Sequence, residues 1–304
     1  MNSADFFTIA RPQRLAVPVV FNSPHSGRHY PADFLKASGL DGHALRRSED
    51  FVVDQLFSGA MRHGAPLLSA RFPRAWLDVN REPFELDPQM FSGALPAHAN
   101  TQSARVQSGL GTIARIVAEN EEIYRARLPV EEALARIEQV YKPYHAALRG
   151  LLAEAMAGFG HAILIDCHSM PSTQTVQRSS PFGSRRQELL RSDFVLGDRY
   201  GTACAPFLVH GAAAILREQG YRVAINKPYA GGFITEHYGR PEKGLHALQI
   251  EVNRALYMNE PRIEKTAGFD VLAGDLDRFI ERLMALVLHE ADDAFAATIP
   301  LAAE

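Results

Sequence analysis

The 304-residue chain carries 32 basic and 35 acidic side chains, a formal net charge of −3, and 46% hydrophobic against 22% charged residues. This is the composition of an ordinary soluble globular protein with enough chain for a substantial core, and no Lys/Arg-rich block gives it electrostatic affinity for nucleic acid or an anionic membrane. Cys167 and Cys204 cannot make a disulfide framework, no window approaches the ~20 apolar residues of a spanning helix, and Met1–Phe6 lacks the basic-then-apolar pattern of a secretory leader, so a cytoplasmic location is expected.

In chain order, Val17–Asn22 reads as a first strand, with Pro18 near its start where a missing N–H is tolerated. It runs into Ser23-Pro24-His25-Ser26-Gly27, a turn by composition. Ser48 is placed as the N-cap of a helix reaching His63-Gly64, with Glu49 and Asp50 in its first turn, where carboxylates favour the dipole. Pro66–Ala70 and Ala75–Val79 are expected as paired strands across a turn at Phe72-Pro73-Arg74, the second ending in Asn80-Arg81-Glu82-Pro83. Glu85 to Thr112 mixes Pro, Gly, Ser, Asn and His and reads as a long loop, a class usually functional or mobile. Glu119 to Met156 is helical in pattern, interrupted at Leu128-Pro129 and at Lys142-Pro143.

Ala162-Ile163-Leu164-Ile165 is an unbroken apolar run too short for a helix, ended by Asp166-Cys167-His168-Ser169 and Met170-Pro171-Ser172. That pattern predicts a central strand buried on both faces. Ligands of open α/β sheets bind beyond the carboxyl ends of such strands. His168, like His25, is therefore placed either to hold a ligand or metal or to serve as a core histidine bonded to a backbone carbonyl.

A polar loop follows through Arg178 and Pro181 to Arg186, then a short strand at Ser192–Gly197 and an amphipathic helix at Thr202–Gln219 stopped by Gly220. Tyr221–Asn226 is a strand, and Pro228–Phe233 turns sharply, its Gly231-Gly232 pair implying close backbone approach. Leu245–Asn253 alternates Leu248, Ile250 and Val252 against Gln249, Glu251 and Asn253, a strand with one polar face. A last helix runs from about Asp275 to Ala291. Alternating strands and helices predict one α/β domain over residues 1–304, with a mixed, mostly parallel sheet flanked by helices.

The strand ends thus collect His25, Asp78-Asn80-Arg81, His168 and the 226–239 loop, with Glu251 on a strand nearby in sequence logic. Two histidines plus one carboxylate, with a fourth position open to water, is the ligand set of a catalytic zinc site. A further carboxylate can take the proton as activated water attacks a carbonyl, and an arginine can bind a substrate carboxylate through paired hydrogen bonds. No H-E-x-x-H, Cys-x-x-Cys, G-x-G-x-x-G or phosphate-binding G-x-x-x-x-G-K pattern is present, and Ser169 lacks a nucleophile elbow.

Six motifs, in order, resemble the N-formylglutamate amidohydrolase family. They are Ser23-Pro24-His25-Ser26-Gly27 with Pro31, Glu49-Asp50 with Asp54, Asp78-Val79-Asn80-Arg81, Asp166-Cys167-His168-Ser169, Gly231-Gly232 with His237-Tyr238-Gly239, and Gln249-Ile250-Glu251 with Tyr257-Met258. The similarity spans Val17 to Met258. It implies a fold like that of the zinc carboxypeptidase and aspartoacylase group, a zinc-exopeptidase-like (phosphorylase/hydrolase-like) arrangement with the metal at the strand ends. It implies one Zn2+ per chain held by His25, Asp50 and His168, with Glu49 the runner-up for the carboxylate because Arg28 stands where an H-x-x-E pattern needs Glu. It implies Glu251 as general base, Asn80 and Arg81 (with Gly232) around a substrate carboxylate, and His237 lining the pocket or stabilising an oxyanion.

The implied activity is metal-dependent hydrolysis of the amide of a small carboxylate-bearing N-acyl amino acid such as N-formyl-glutamate. The alternatives are a small-peptide exopeptidase or other N-deacylase on the same scaffold, or a non-catalytic binding protein. A homo-oligomer is compatible with this reading. One departure stands out: after Gly231-Gly232 the histidine-catabolism deformylases carry a His and then an Arg, where this chain reads Phe233-Ile234-Thr235-Glu236. Glu236 in place of a cation weakens recognition of a dianion if that slot faces the substrate.

Overall fold

The computed structural model describes residues 6–117, 121–172 and 192–294. Seven strands form the main sheet: β1 Phe7–Ala10, β2 Val19–Ser23, β3 Leu67–Ala70, β4 Ala162–Met170, β5 Phe194–Gly197, β6 Val223–Ile225 and β7 Leu245–Asn253. Their order is β1-β3-β2-β4-β7-β5-β6. β1 runs antiparallel to β3 and β5 antiparallel to β7, while every other neighbouring pair is parallel. The central pair, β4 and β7, is in register over its full length, from Ala162↔Leu245 to Met170↔Asn253. All nine residues of β4 are buried, as the apolar run requires of a strand covered on both faces.

The helices that position the site are α1 Val53–Leu56, α2 Lys142–Phe159, α3 Pro206–Glu218, α4 Phe233–Tyr238 and α5 Gly268–Ala294. Because successive strand side chains point to opposite faces, the sheet divides its residues between two apolar layers. Phe21, Ile163, Ile165, Leu248 and Ile250 pack with Leu208 and Ala212 of α3 and Leu276 and Phe279 of α5. Val20, Leu164 and Ala247 pack with Tyr144 and Leu148 of α2.

Several expectations are corrected. No helix starts at Ser48: its hydroxyl bonds the Leu45 carbonyl, and Val52 adopts a left-handed φ of 53°, so residues 48–52 form turns before the short α1. Ala75–Val79 is not a strand. Trp76 and Leu77 both donate to the Pro73 carbonyl, a turn, and β3 pairs instead with β1 and β2. β1 itself carries no strong sequence signal, being a four-residue edge strand. The helical stretch begins at Val130 and continues through Pro143, by way of a π turn over Ile137–Tyr141 in which Lys142 N–H donates to the Ile137 carbonyl. The last helix starts at Gly268, earlier than expected. Of the polar loop beginning after Ser172, residues 173–191 lie outside the described residues. No helix among the described residues is long and apolar enough to cross a membrane.

Candidate metal centre

Sheet register builds the site. Asn22 of β2 lies opposite Asp166 of β4, Asp166 opposite Gln249 of β7, and His168 opposite Glu251. The period-2 alternation that sends Ile163, Ile165 and Ile250 into one apolar layer sends these polar residues to the other face, at the carboxyl ends of parallel strands. The turn after β2 then brings in His25. Gly27 permits this, since a Cβ there would lie 2.0 Å from the Phe72 carbonyl oxygen. Asp50 arrives through the turn that replaces the expected helix start, its backbone N–H donating to the His25 carbonyl at 3.0 Å.

The two imidazole rings lie with centroids 4.9 Å apart and face one carboxylate. His168 Nδ1 is 3.0 Å and His25 Nδ1 is 3.4 Å from Asp50 Oδ2. The far nitrogens are each held by another acid: His25 Nε2 lies 2.7 Å from Asp78 Oδ1, and His168 Nε2 lies 2.9 Å from Asp166 Oδ2. One donor atom from each of His25, Asp50 and His168 falls within 4.8 Å of the others. Zinc bonds of about 2.0–2.2 Å place tetrahedral ligands roughly 3–3.5 Å apart, and the 3.0 and 3.4 Å separations from Asp50 fall in that range. His25 Nδ1 is buried and makes no hydrogen bond. Such a group costs about 1–3 kcal/mol, a cost that coordination removes. Carboxylates behind both imidazoles are the usual support of histidine ligands.

Asp50 is fixed from behind. Its Oδ1 accepts from Ser169 Oγ at 3.1 Å and from Arg254 at 3.3 Å, leaving Oδ2 to the histidines. Arg254 also reaches the Glu49 carbonyl at 2.7 Å and Ser169 Oγ at 3.1 Å. Burial opposes ionisation of Asp50, but the His168 hydrogen bond and the adjacent His25 hold its carboxyl well below the usual carboxylate range. Glu49 is drawn elsewhere, accepting from Tyr30 at 2.7 Å and from Arg46 at 3.1 Å.

Glu251 lines a cleft of about 740 Å3 together with Asp50, Asp78, His168, Arg74, Arg254 and Tyr229. Gln249 Nε2 donates to Glu251 Oε1 at 2.8 Å, and Gly232 N–H donates to Gln249 Oε1 at 2.7 Å, so the Gly-Gly loop orients the acid through one amide. Burial, reinforced by Asp50 and countered by His168, Arg74 and Arg254, pushes Glu251 up to about 7. A carboxyl titrating near neutrality beside a candidate metal position has the property asked of a general base.

The remaining expected site residues lie elsewhere. Asn80 Nδ2 lies 3.3 Å from His168 Nε2 and its Oδ1 accepts from Ile234 N–H at 2.8 Å. Gly232 packs against that amide, where a Cβ would come within 2.5 Å of Asn80 Nδ2. Arg81 donates to the carbonyls of Leu110 and Asn80, both at 2.8 Å, and lies 3.6 Å from Asp78 Oδ2. His237 is exposed on α4, stacked on Phe233 with centroids 5.0 Å apart. Glu236 is exposed as well and pairs with Arg199 at 2.8 Å. None of these five is among the residues that line the cleft. Sequence reasoning did not single out Asp166 and Asp78 as the carboxylates behind the histidines, or Arg74 and Arg254 as cleft cations. Asp166 carried a usable signal, since i and i+2 of a strand share a face.

Comparison with known proteins gives the family. The family model described as N-formylglutamate amidohydrolase matches residues 17–258. N-formylglutamate deformylase of Pseudomonas aeruginosa is 30% identical over 252 residues, covering 82% of this chain and 85% of the relative. That of Pseudomonas putida is 28% identical over 247 residues, covering 80% and 83%. The crystal structure of N-formylglutamate amidohydrolase from Ralstonia eutropha JMP134 superposes with a TM-score of 0.85 at 39% identity, covering 93% of this chain and 99% of that one. The matched span opens just before β2 and closes just after β7, the strands that carry the first and last residues of the polar row. A shared fold and one continuous match place the chain in the N-formylglutamate amidohydrolase family.

Proposed function

We propose that this chain is a zinc-dependent amidohydrolase that cleaves the N-formyl amide of N-formyl-glutamate or a close N-acyl amino acid relative. The observation that carries this reading is the buried cluster of His25 Nδ1, His168 Nδ1 and Asp50 Oδ2, of which Asp50 and His168 line the same cleft as Glu251. His25, Asp50 and His168 would hold one zinc ion, which when bound supplies a Lewis acid for the amide carbonyl and lowers the pKa of water.

Glu251 takes the proton from the attacking water and returns it to the departing amine, with Gln249 fixing the carboxylate's orientation. Asp78 and Asp166 hold the histidine rings so that both Nδ1 atoms face inward. The substrate's carboxylates meet the cations of the cleft wall, Arg74 foremost, since Arg81 is turned to the Leu110 and Asn80 carbonyls. Asn80, Arg81 and Gly232 act as the frame around His168, Asp78 and Gln249. His237 has no step in this scheme.

The test is a hydrolysis screen of metal-stripped protein, with and without added zinc, on N-formyl-glutamate, N-acetyl amino acids and dipeptides. Zinc-dependent formate release, fastest on N-formyl-glutamate, is the expected result. Faster turnover of dipeptides or N-acetyl amino acids shifts the activity to the exopeptidase or deacylase alternative. No turnover of any of them at one equivalent of zinc refutes the hydrolase reading.

A further inference from the structure

A buried chain of side chains runs from α2 to the zinc-facing histidine, and it has a fixed direction. The Tyr144 hydroxyl donates to Asn22 Oδ1 at 2.5 Å, Asn22 Nδ2 donates to Asp166 Oδ1 at 2.7 Å, and Asp166 Oδ2 lies 2.9 Å from His168 Nε2. Tyr144, Asn22 and Asp166 are 0% exposed and His168 is 3% exposed. The π turn over Ile137–Tyr141 leads directly into the turn of α2 that presents Tyr144 to this row.

The row holds the ring from behind. Asp166 Oδ2, 2.9 Å from His168 Nε2, can only accept, so it holds Nε2 and leaves Nδ1 as the nitrogen that faces Asp50. The other Asp166 oxygen is accept-only as well, so it sets the Asn22 amide with Nδ2 toward the carboxylate and Oδ1 toward Tyr144, whose hydroxyl satisfies that oxygen. Held from both ends, the amide pins one carboxylate oxygen while the other stays on the ring.

We infer that Tyr144 and Asn22 are positioning residues that hold Asp166, and through it the ring of His168, in the zinc-binding orientation. The inference rests on the proposed zinc site and adds the device that keeps one of its ligands competent.

Tyr144→Phe deletes one hydroxyl and nothing else. Zinc affinity, measured by chelator competition, is expected to fall about tenfold or more, the usual loss when support behind a ligand is removed. The visible spectrum of the Co2+-loaded protein is expected to shift, as a geometry change at the ion requires. Tyr141→Phe is the matched control, because Tyr141 donates to the Arg81 carbonyl at 2.6 Å, outside the relay. It should leave affinity within about twofold and the Co2+ spectrum unchanged. Asn22→Leu removes both links at once and should match or exceed Tyr144→Phe. Tight wild-type zinc binding with unchanged affinity and spectrum in Tyr144→Phe overturns the relay while leaving the hydrolase reading intact. Equal losses in Tyr144→Phe and Tyr141→Phe also overturn it, by showing a general packing effect. A wild-type chain that takes up no zinc overturns the hydrolase reading and the relay with it.

Discussion

His25 and His168 present the same nitrogen to Asp50, yet the carboxylates behind them are held in different ways. Asp78, behind His25, comes from a loop and is braced by charge: Arg74 lies 2.7 Å from Oδ2, Arg81 lies 3.6 Å away, and Asn80 N–H donates to Oδ1 at 2.8 Å. Burial opposes its ionisation, but Arg81 and Arg74 hold it well below the usual carboxylate range. Asp166, behind His168, lies two residues earlier on the same strand and takes its hydrogen bonds from the Asn22 amide and the imidazole. One arm is a carboxylate braced by two arginines and the other a carboxylate braced by uncharged side chains. The lesson is that the loop arm couples the centre to the stability of the fold, while the strand arm couples it to the orientation of a single ring.

Removing the shared partner erases the comparison altogether. Asp50→Ala, or chelation of the wild type, deletes several kcal/mol of transition-state charge stabilisation, so kcat/KM is expected to drop about 10^3-fold or more in a formate-release assay. Glu251→Gln leaves both arms standing. Bound zinc should remain near one equivalent by elemental analysis while kcat falls about 10^2- to 10^4-fold, the range for a lost general base. Full activity in that variant would reassign the base.

The arms themselves separate in a matched pair. Asp166→Asn should weaken zinc binding about 10- to 100-fold with a modest change in the urea midpoint. Asp78→Asn should weaken zinc and also destabilise the fold by on the order of 3 kcal/mol, because Arg74 and Arg81 lose their shared anion. Equal stability losses in the two variants would contradict the distinction.

Acid sharpens the same contrast. His145 supports the loop arm, its Nε2 donating to the Val79 carbonyl at 2.9 Å while Nδ1 accepts from Tyr238 at 2.8 Å. Burial, with a smaller push from nearby cations, lowers its pKa to about 4, against about 6.5 in the unfolded chain. Between those two values the unfolded state binds the extra proton, so stability falls as pH falls, with a slope of up to about 1.4 kcal/mol per unit from this group. Urea denaturation at pH 7 and 5 should show the loss, and His145→Gln should flatten it. The smallest effect belongs to Glu236. It pairs with Arg199 on the surface and does not line the cleft, so Glu236→Ala should change KM for N-formyl-glutamate less than about twofold and stability by under about 1 kcal/mol.

What was legible in the sequence follows the locality of each signal. Strands β2, β4, β6 and β7 could be read because an apolar run or a period-2 alternation is written within nine residues or fewer. The apolar run put His168 at a strand end, the alternation put Glu251 on a polar strand face, and the family resemblance supplied Asp50. The turn at 48–52 was not legible. Glu49 and Asp50 suit a helix start on local grounds, but the left-handed φ at Val52 and the Asp50 N–H bond to the His25 carbonyl are imposed by packing against the turn after β2. Arg81 likewise had the chemistry of a carboxylate binder, and only the fold showed its guanidinium turned to the Leu110 and Asn80 carbonyls while Arg74 lines the cleft.

The sequence by itself determined that apolar strands end in histidines and acids, and hence an α/β sheet with ligand chemistry at its carboxyl edge. Tertiary structure alone decided which acid faces which nitrogen. Strand register aligns Asn22, Asp166 and Gln249 across three strands, and a phenol 122 positions from Asn22 satisfies that amide's oxygen. Hydrogen bonds are specified to tenths of an ångström by atoms that chain order does not relate. Chain order can name the participants, and packing assigns their partners.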